Sequence, residues 1–180
     1  MERALGAAGI CLECAARAPT CCRLSGKGGG QCFPLSLPER ERIERILKQG
    51  DFWKSEKNSE AFLSAMSGLF PAGRSLMEKR WPSGQKHDRL RTHEDGACVL
   101  LTPAGCILPA EARPHHCRIY PFWVYNGQIT YFKDQQCLAA SSCRSLADLL
   151  RMFSLGKKEI FELYRRICLD WGLDGEILSR

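Results

Sequence analysis

The stretch DGACVLLTPAGCILPAEARPHHCRIYPFW (residues 95–123) is punctuated by six glycines and prolines. Its cysteines are Cys98, Cys106 and Cys117. Proline fixes φ and removes a backbone donor, so we expect this stretch to be non-helical. Short apolar runs at 97–101 and 106–108 predict two small strands joined by a turn. A rigid segment of this kind can hold thiols in place for a metal ion.

A second group of cysteines lies near the N-terminus, in CLECAARAPTCC (residues 11–22). Cys11 and Cys14 form a CxxC pair, which can bind one ion or act as a redox pair, and Cys21 and Cys22 follow. The βαβ context of a thioredoxin-like pair is absent, as are the second CxxC of a zinc ribbon and the plain ferredoxin run. The spacing favours thiolate metal binding without identifying the metal.

Length and composition suit one domain that does not need its cysteines merely to fold, since the chain has 180 residues and 11 cysteines. The first residues, MERALGAAGI, are not typical of a signal peptide, and no apolar run approaches the ~20 residues of a membrane span. The cysteine count is odd, and Cys21 and Cys22 are adjacent, which argues against a disulfide framework. We therefore predict a cytoplasmic protein with metal-bound thiolates and no membrane association.

The formal net charge is +6, and the lysines and arginines are spread along the chain. A modest and scattered charge gives little support for nucleic-acid binding, so we leave an unknown protein partner open. Part of the basic excess can offset the negative charge of metal-bound thiolates.

Helical signals are clear on both sides of the central stretch. Residues 36–50 begin with Ser36 as N-cap and carry Glu39 three positions later, the pattern of a capping box. A shorter helix is predicted at 59–68, with Asn58 as its candidate cap. Residues between 72 and 94 are polar, and we expect them to be irregular, apart from one helical turn.

A hairpin and a C-terminal helical pair complete the prediction. The Asn126-Gly127 dipeptide lies between two aromatic, β-branched runs and is a strong hairpin signal. Apolar residues at helical spacing predict helices over 145–154 and 157–171. The expected fold is a helix-rich, single-domain α+β structure over residues 1–180, with a small β-hairpin and a cysteine-cluster metal site.

The central stretch resembles a known pattern. GACVLL, GCILP and RPHHCRIYPFW look like the C-x-x-L, C-x-I and R-P-x-x-C-R-x-Y-P elements of the CxxCxxCC family, bacterial cysteine-cluster proteins that chelate zinc or iron. The resemblance covers residues 11–22 and about 95–137. Six residues separate Cys14 from Cys21, where the family's name implies two. The resemblance implies bound zinc or an iron–sulfur cluster.

On this resemblance we predict eight metal ligands in two segments, 11–22 and 95–143, with helical support from 36–70 and 145–172. The ligands are Cys11, Cys14, Cys21, Cys22, Cys98, Cys106, Cys117 and Cys137. Cys143 is held in reserve, and Cys32 is left undecided. Thiolate ligation suits Zn²⁺ or an iron–sulfur cluster. Cys168 lies on an apolar helix face and is expected to act as a small hydrophobe.

The residues beside Cys117 allow further roles. His115 or His116 could be a ligand, but we favour a solvated or hydrogen-bonded role, and we expect His87 and His93 to be solvated. Arg113 and Arg118 either stabilise a thiolate or belong to the surface. A Cys–His nucleophile is a weak alternative, because neighbouring side chains in a tight run point in different directions.

The predicted function is therefore metal binding in a structural or partner-binding module. The alternative is an iron–sulfur oxidoreductase or a cluster-dependent protein-modifying enzyme. Some relatives in the CxxCxxCC family are described as iron–sulfur oxidoreductases, and a larger relative, the flagellin lysine methylase, uses a cluster with S-adenosylmethionine. No S-adenosylmethionine site is evident in this sequence, and we carry no catalytic residue over.

Overall fold

The larger of two hydrophobic cores is built mainly from aromatic and aliphatic side chains of helices. The computed structural model describes residues 12–16, 20, 22–23, 33–48, 50–71, 73–133 and 137–173. The elements around this core are α3 (Glu60–Ser67), α4 (Gly73–Arg80), β5 (Phe122–Tyr125), β6 (Gln128–Tyr131), α7 (Leu146–Phe153) and α8 (Lys157–Asp170). Trp171, directly after α8, is 2% exposed and packs edge-on against Trp81 and Phe70.

The smaller core lies where the N-terminal helices meet the cysteine-bearing stretch. Its buried residues are Leu35, Ile43, Phe52, Leu100, Leu108 and Ala112. Helix α2 (Leu37–Leu47) contributes Ile43, and a short helix, α1 (residues 12–15), precedes it in the chain. Cys98 and Cys106 pack against this core from its edge.

All the described strands pair as two-stranded antiparallel sheets. The longest pair is β1 (Trp53–Lys57) with β2 (Lys86–Leu90), and the shortest is β3 (Leu101–Thr102) with β4 (Gly105–Cys106). In the third pair, β5 and β6 are joined by Asn126 and Gly127, with φ of 49° and 69°. Two successive positive φ values are those of a type I′ hairpin turn.

The α+β class, the helix-rich single domain and the hairpin are confirmed. The capping box on α2 is present, with Ser36 and Glu39 bonded to each other's backbone N–H groups. None of the described helices combines the length and apolar character needed to cross a membrane.

Several local predictions were wrong. The stretch 95–123 is not free of helix: it contains a 3₁₀ turn at Ala110–Ala112 and helix α5 (His115–Ile119). Pro114 is the N-cap of α5, where its missing N–H group costs no helical hydrogen bond. Ser59, not Asn58, caps α3. Residues between 72 and 94 are regular, since they hold all of α4 and β2.

Candidate metal centre

Backbone pairing brings the N-terminal cysteine segment onto the central stretch. Cys98 N donates to Cys22 O at 2.8 Å, and Arg23 forms an antiparallel bridge with Ala97. An ion pair of 2.9 Å between Arg23 and Asp95 adds to this junction. The two cysteine groups that the sequence separates by more than 70 residues are therefore adjacent at Cys22 and Cys98.

The hairpin β3–β4 presents Cys106. Cys106 pairs with Leu101 across the hairpin, and the turn is closed by Thr102, whose hydroxyl donates to Gly105 O at 2.9 Å. Gly105 has a φ of 97°, and a Cβ there would lie 3.0 Å from the Leu12 side chain. Only glycine meets both demands, so α1 can rest directly on this turn.

Helix α5 presents Cys117 and is held in place by a buried carboxylate. Glu39 Oε1 accepts from His115 N at 2.7 Å, which joins the first residue of α5 to the first turn of α2. Cys117 N donates to Pro114 O at 3.0 Å, within α5's first turn. The position of Cys117 therefore depends on a charge that is 1% exposed.

Four thiols act on one another electrostatically. Burial raises the pKa of Cys117 well above its usual range, and the nearby Cys22, Cys98 and Cys106 raise it further. Cys117 nevertheless has exposed surface. Among the described residues, no three sulfur atoms lie within 4.8 Å of one another. The thiols are neighbours, in a more open arrangement than a closed tetrahedral site.

Arg113 differs from Arg118 in its relation to these thiols. Burial raises the pKa of Cys106, while Arg113, by its charge and a hydrogen bond, favours the thiolate. Arg113 is itself fixed by Leu108 O at 3.0 Å. Burial lowers the pKa of Arg118, as do the charges of Arg42 and Arg166.

The remaining predicted ligands divide into two sets. Cys11 and Cys21, like Cys32, lie outside the described residues. Cys14 is buried near the end of α1, and Cys137 is 5% exposed in the larger core, where its sulfur accepts from Ala140 N as the N-cap of α6 (Leu138–Ser142). The reserve ligand Cys143 lies at the other end of α6, with its sulfur 4.0 Å from Met152 Sδ. Cys168 is fully buried in the larger core, as expected of a small hydrophobe.

A different group of side chains converges more tightly. Ligand atoms of Glu39, His115 and Asp170 all lie within 4.8 Å of one another. Ser36 links them, because its hydroxyl lies 2.9 Å from Glu39 Oε2 and 3.4 Å from Asp170 Oδ2. A cavity of about 360 Å³ opens beside Ser36 and Asp170.

Burial controls the charge of this group. It lowers the pKa of His115 to about 4, so the imidazole is neutral at pH 7 and its 3.6 Å contact with Asp170 is not an ion pair. Burial also raises the pKa of Asp170, and the charge of Glu39 raises it further. Sequence reasoning missed this group. The capping box marked Glu39, His115 was named only as a possible ligand beside Cys117, and nothing local pointed to Asp170.

The histidines are less solvated than the sequence suggested. His87 is 5% exposed, stacks on Phe62 at 3.8 Å and bonds Asn58 Oδ1 at 2.9 Å, so the prediction of a solvated His87 was wrong. His116 is buried against Phe33, at a ring separation of 5.0 Å. His93 is exposed, as predicted.

No protein-family model matches the chain, and no curated protein or solved structure matches it significantly. The resemblance to the CxxCxxCC family therefore stays an expectation from the sequence.

Proposed function

We propose that this protein binds metal through clustered cysteine thiolates, holding zinc or an iron–sulfur cluster in a structural or partner-binding module of the cytoplasm. The proposal is supported by the hydrogen bond that joins Cys22 to Cys98 and by the electrostatic effect of Cys22, Cys98 and Cys106 on Cys117. Four cysteine thiols are a donor set that zinc and iron–sulfur sites use.

The residues present fit such a group chemically. Cys22, Cys98 and Cys106 raise the pKa of Cys117 because like charges repel. A bound cation would lower it instead. Sulfur ligands select zinc or iron–sulfur centres over Mg²⁺ or Ca²⁺. The remaining predicted ligands of the N-terminal segment, Cys11, Cys14 and Cys21, can complete the site as the thiols close around metal.

A structural role is favoured over catalysis because thiolates that fully ligate a metal leave no open position for a substrate. The alternative, an iron–sulfur oxidoreductase or a protein-modifying enzyme, requires a reducible centre. One measurement of metal content and colour distinguishes the structural role from the catalytic alternative.

The test is the metal and acid-labile sulfide content, with an absorption spectrum, of protein purified without oxygen or added metal. Stoichiometric zinc without colour supports the structural module. Iron with sulfide and a reducible brown chromophore supports the alternative. Protein that carries neither metal, and takes up neither when reduced, overturns the proposal.

Two matched variants test the ligand assignment. Cys117→Ser is expected to lose the metal, whereas Cys168→Ser, the same change in the apolar core, is expected to keep it. Equal metal content in wild type and Cys117→Ser would contradict the role of Cys117.

A further inference from the structure

We propose that Glu39, His115 and Asp170 form a binding site for one divalent transition-metal ion of the Mn²⁺, Fe²⁺ or Zn²⁺ type, separate from the cysteine thiols. The three side chains come from α2, α5 and α8, and their ligand atoms lie within 4.8 Å of one another. Three ligands equally spaced around an ion at about 2.0–2.2 Å lie at most about 3.8 Å from one another, so any longer separation in this group must shorten when the ion binds.

The first supporting observation is the unsatisfied state of His115. The side chain is 4% exposed, and its Nδ1 has no hydrogen-bond partner among the described residues. Its Nε2 points at Asp170 Oδ2 from 3.6 Å, which is too far for a normal hydrogen bond. An ion between Nε2 and the carboxylate would give a partner to the ring nitrogen that faces Asp170, while the unpartnered Nδ1 lies on the other side of the ring.

The second observation concerns Asp170. It is the last residue of α8, where the helix dipole disfavours a negative charge. The nearest described donor is the Ser36 hydroxyl, which lies closer to Glu39 than to Asp170. Within the described part of the chain, no lysine or arginine pairs with Asp170 or Glu39. Asp170 therefore has no lysine or arginine in ion-pair contact among the described residues, and a bound cation would supply that charge.

Neighbouring arginines do not fill that role. Arg42 donates to Ala112 O and Arg113 O, and Arg166 pairs with Glu162 on its own helix. Glu39 accepts three hydrogen bonds, from Ser36 N, the Ser36 hydroxyl and His115 N. A carboxylate has about four lone-pair sites, so Glu39 keeps one for a metal while it caps α2.

The donor set defines the ion. Two carboxylates and one imidazole suit Mn²⁺, Fe²⁺ or Zn²⁺, while softer thiolate sites retain zinc or iron–sulfur centres. A cavity of about 360 Å³ adjoins the group on the side of Ser36 and Asp170. Because α5 carries both His115 and Cys117, the two sites would share one short helix.

The test uses the 180-residue chain as purified, with Mn²⁺ as the probe because it prefers oxygen to sulfur ligands. Loss of the electron paramagnetic resonance signal of free Mn²⁺ reports binding. We expect one Mn²⁺ per wild-type chain. Asp170→Asn should weaken binding at least about tenfold, and the control Asp148→Asn should leave it unchanged.

Melting temperatures separate metal binding from a merely structural role. Mn²⁺ should raise the melting temperature of wild type but not of Asp170→Asn, and Asp170→Asn without metal should be at least as stable as wild type. No Mn²⁺ uptake, or equal uptake by Asp170→Asn, would overturn the proposal. Cys117→Ser should still bind Mn²⁺, so this proposal and the thiol site can fail independently.

Discussion

Two regions of this protein contain cysteine in different surroundings, because Cys168 is buried and the four neighbouring thiols are partly or fully exposed. Cys168 lies in the larger core, whose described buried residues number 22, and Cys98 and Cys106 lie at the edge of the smaller core, which has 6. The helices that build the larger core are up to 14 residues long, whereas the strand that carries Cys106 has two residues. We infer that the helical region is stable through its own packing. The thiol region has a small core and depends also on other stabilising interactions, such as metal ligation.

The largest expected effect is in the helical region. Trp171→Ala removes a ring that is 2% exposed and contacts several aromatic neighbours, so it should destabilise the fold by about 3–5 kcal/mol. Urea unfolding, monitored with and without a strong chelator, should give the same loss in both conditions. If Trp171→Ala lowered the free energy of unfolding only when metal is present, the helical region would not be stable independently of metal, contrary to the comparison.

A matched change in the smaller core should couple to metal. Leu108, which is 1% exposed, lies two residues after Cys106 and accepts a hydrogen bond from Arg113 through its carbonyl. Leu108→Ala should cost about 2–5 kcal/mol and should also lower metal content. Metal analysis of the purified variant checks the second effect. Full metal content in Leu108→Ala would show that metal binding does not depend on the packing of the smaller core.

The link between α2 and α5 can be weakened alone. Glu39→Gln keeps the size of the side chain but loses the charge that accepts from Ser36 and His115 N, so it should cost about 1–3 kcal/mol. The exposed Glu41→Gln on the same helix is the control, and it should be near neutral. Urea midpoints measure both. Equal urea midpoints for Glu39→Gln and Glu41→Gln would show that Glu39 does not hold α5 in place.

The smallest effect expected is a dependence on pH. Burial lowers the pKa of His87 below its ordinary value of 6.5, so the unfolded chain binds a proton more readily than the folded one. The contribution of neutral His87 to the free energy of unfolding should therefore be fully present above about pH 6.5. It should decrease as the pH falls below that value.

His87→Gln should make this acid-induced loss smaller, and His93→Gln, at an exposed site, should not. The free energy of unfolding at pH 7.5 and pH 5.5 checks it. Any acid release of metal is common to all three proteins and cancels in the comparison. An unchanged pH dependence in His87→Gln would contradict the assignment.

Local signals predicted much of the fold. The capping box at Ser36 and Glu39 and the Asn126-Gly127 turn act over a few residues, and both have the predicted structure. Helix α5 was missed because prolines were taken only as breakers, although Pro114 begins it. The pair β1–β2 was missed because polar residues such as Lys54 and Lys86 hide its strand pattern.

The sequence by itself determined the capped helices that begin at Leu37, Glu60, Leu146 and Lys157, the Asn126-Gly127 hairpin and the presence of two cysteine-rich segments, because caps, turns and periodicity are short-range properties. Only the tertiary structure decided which side chains meet. It placed Cys137 in the apolar core and Cys98 beside Cys22. It also joined Glu39 to His115 across 76 positions and Ser36 to Asp170 across 134. Such contacts depend on how whole helices pack, which no local pattern records.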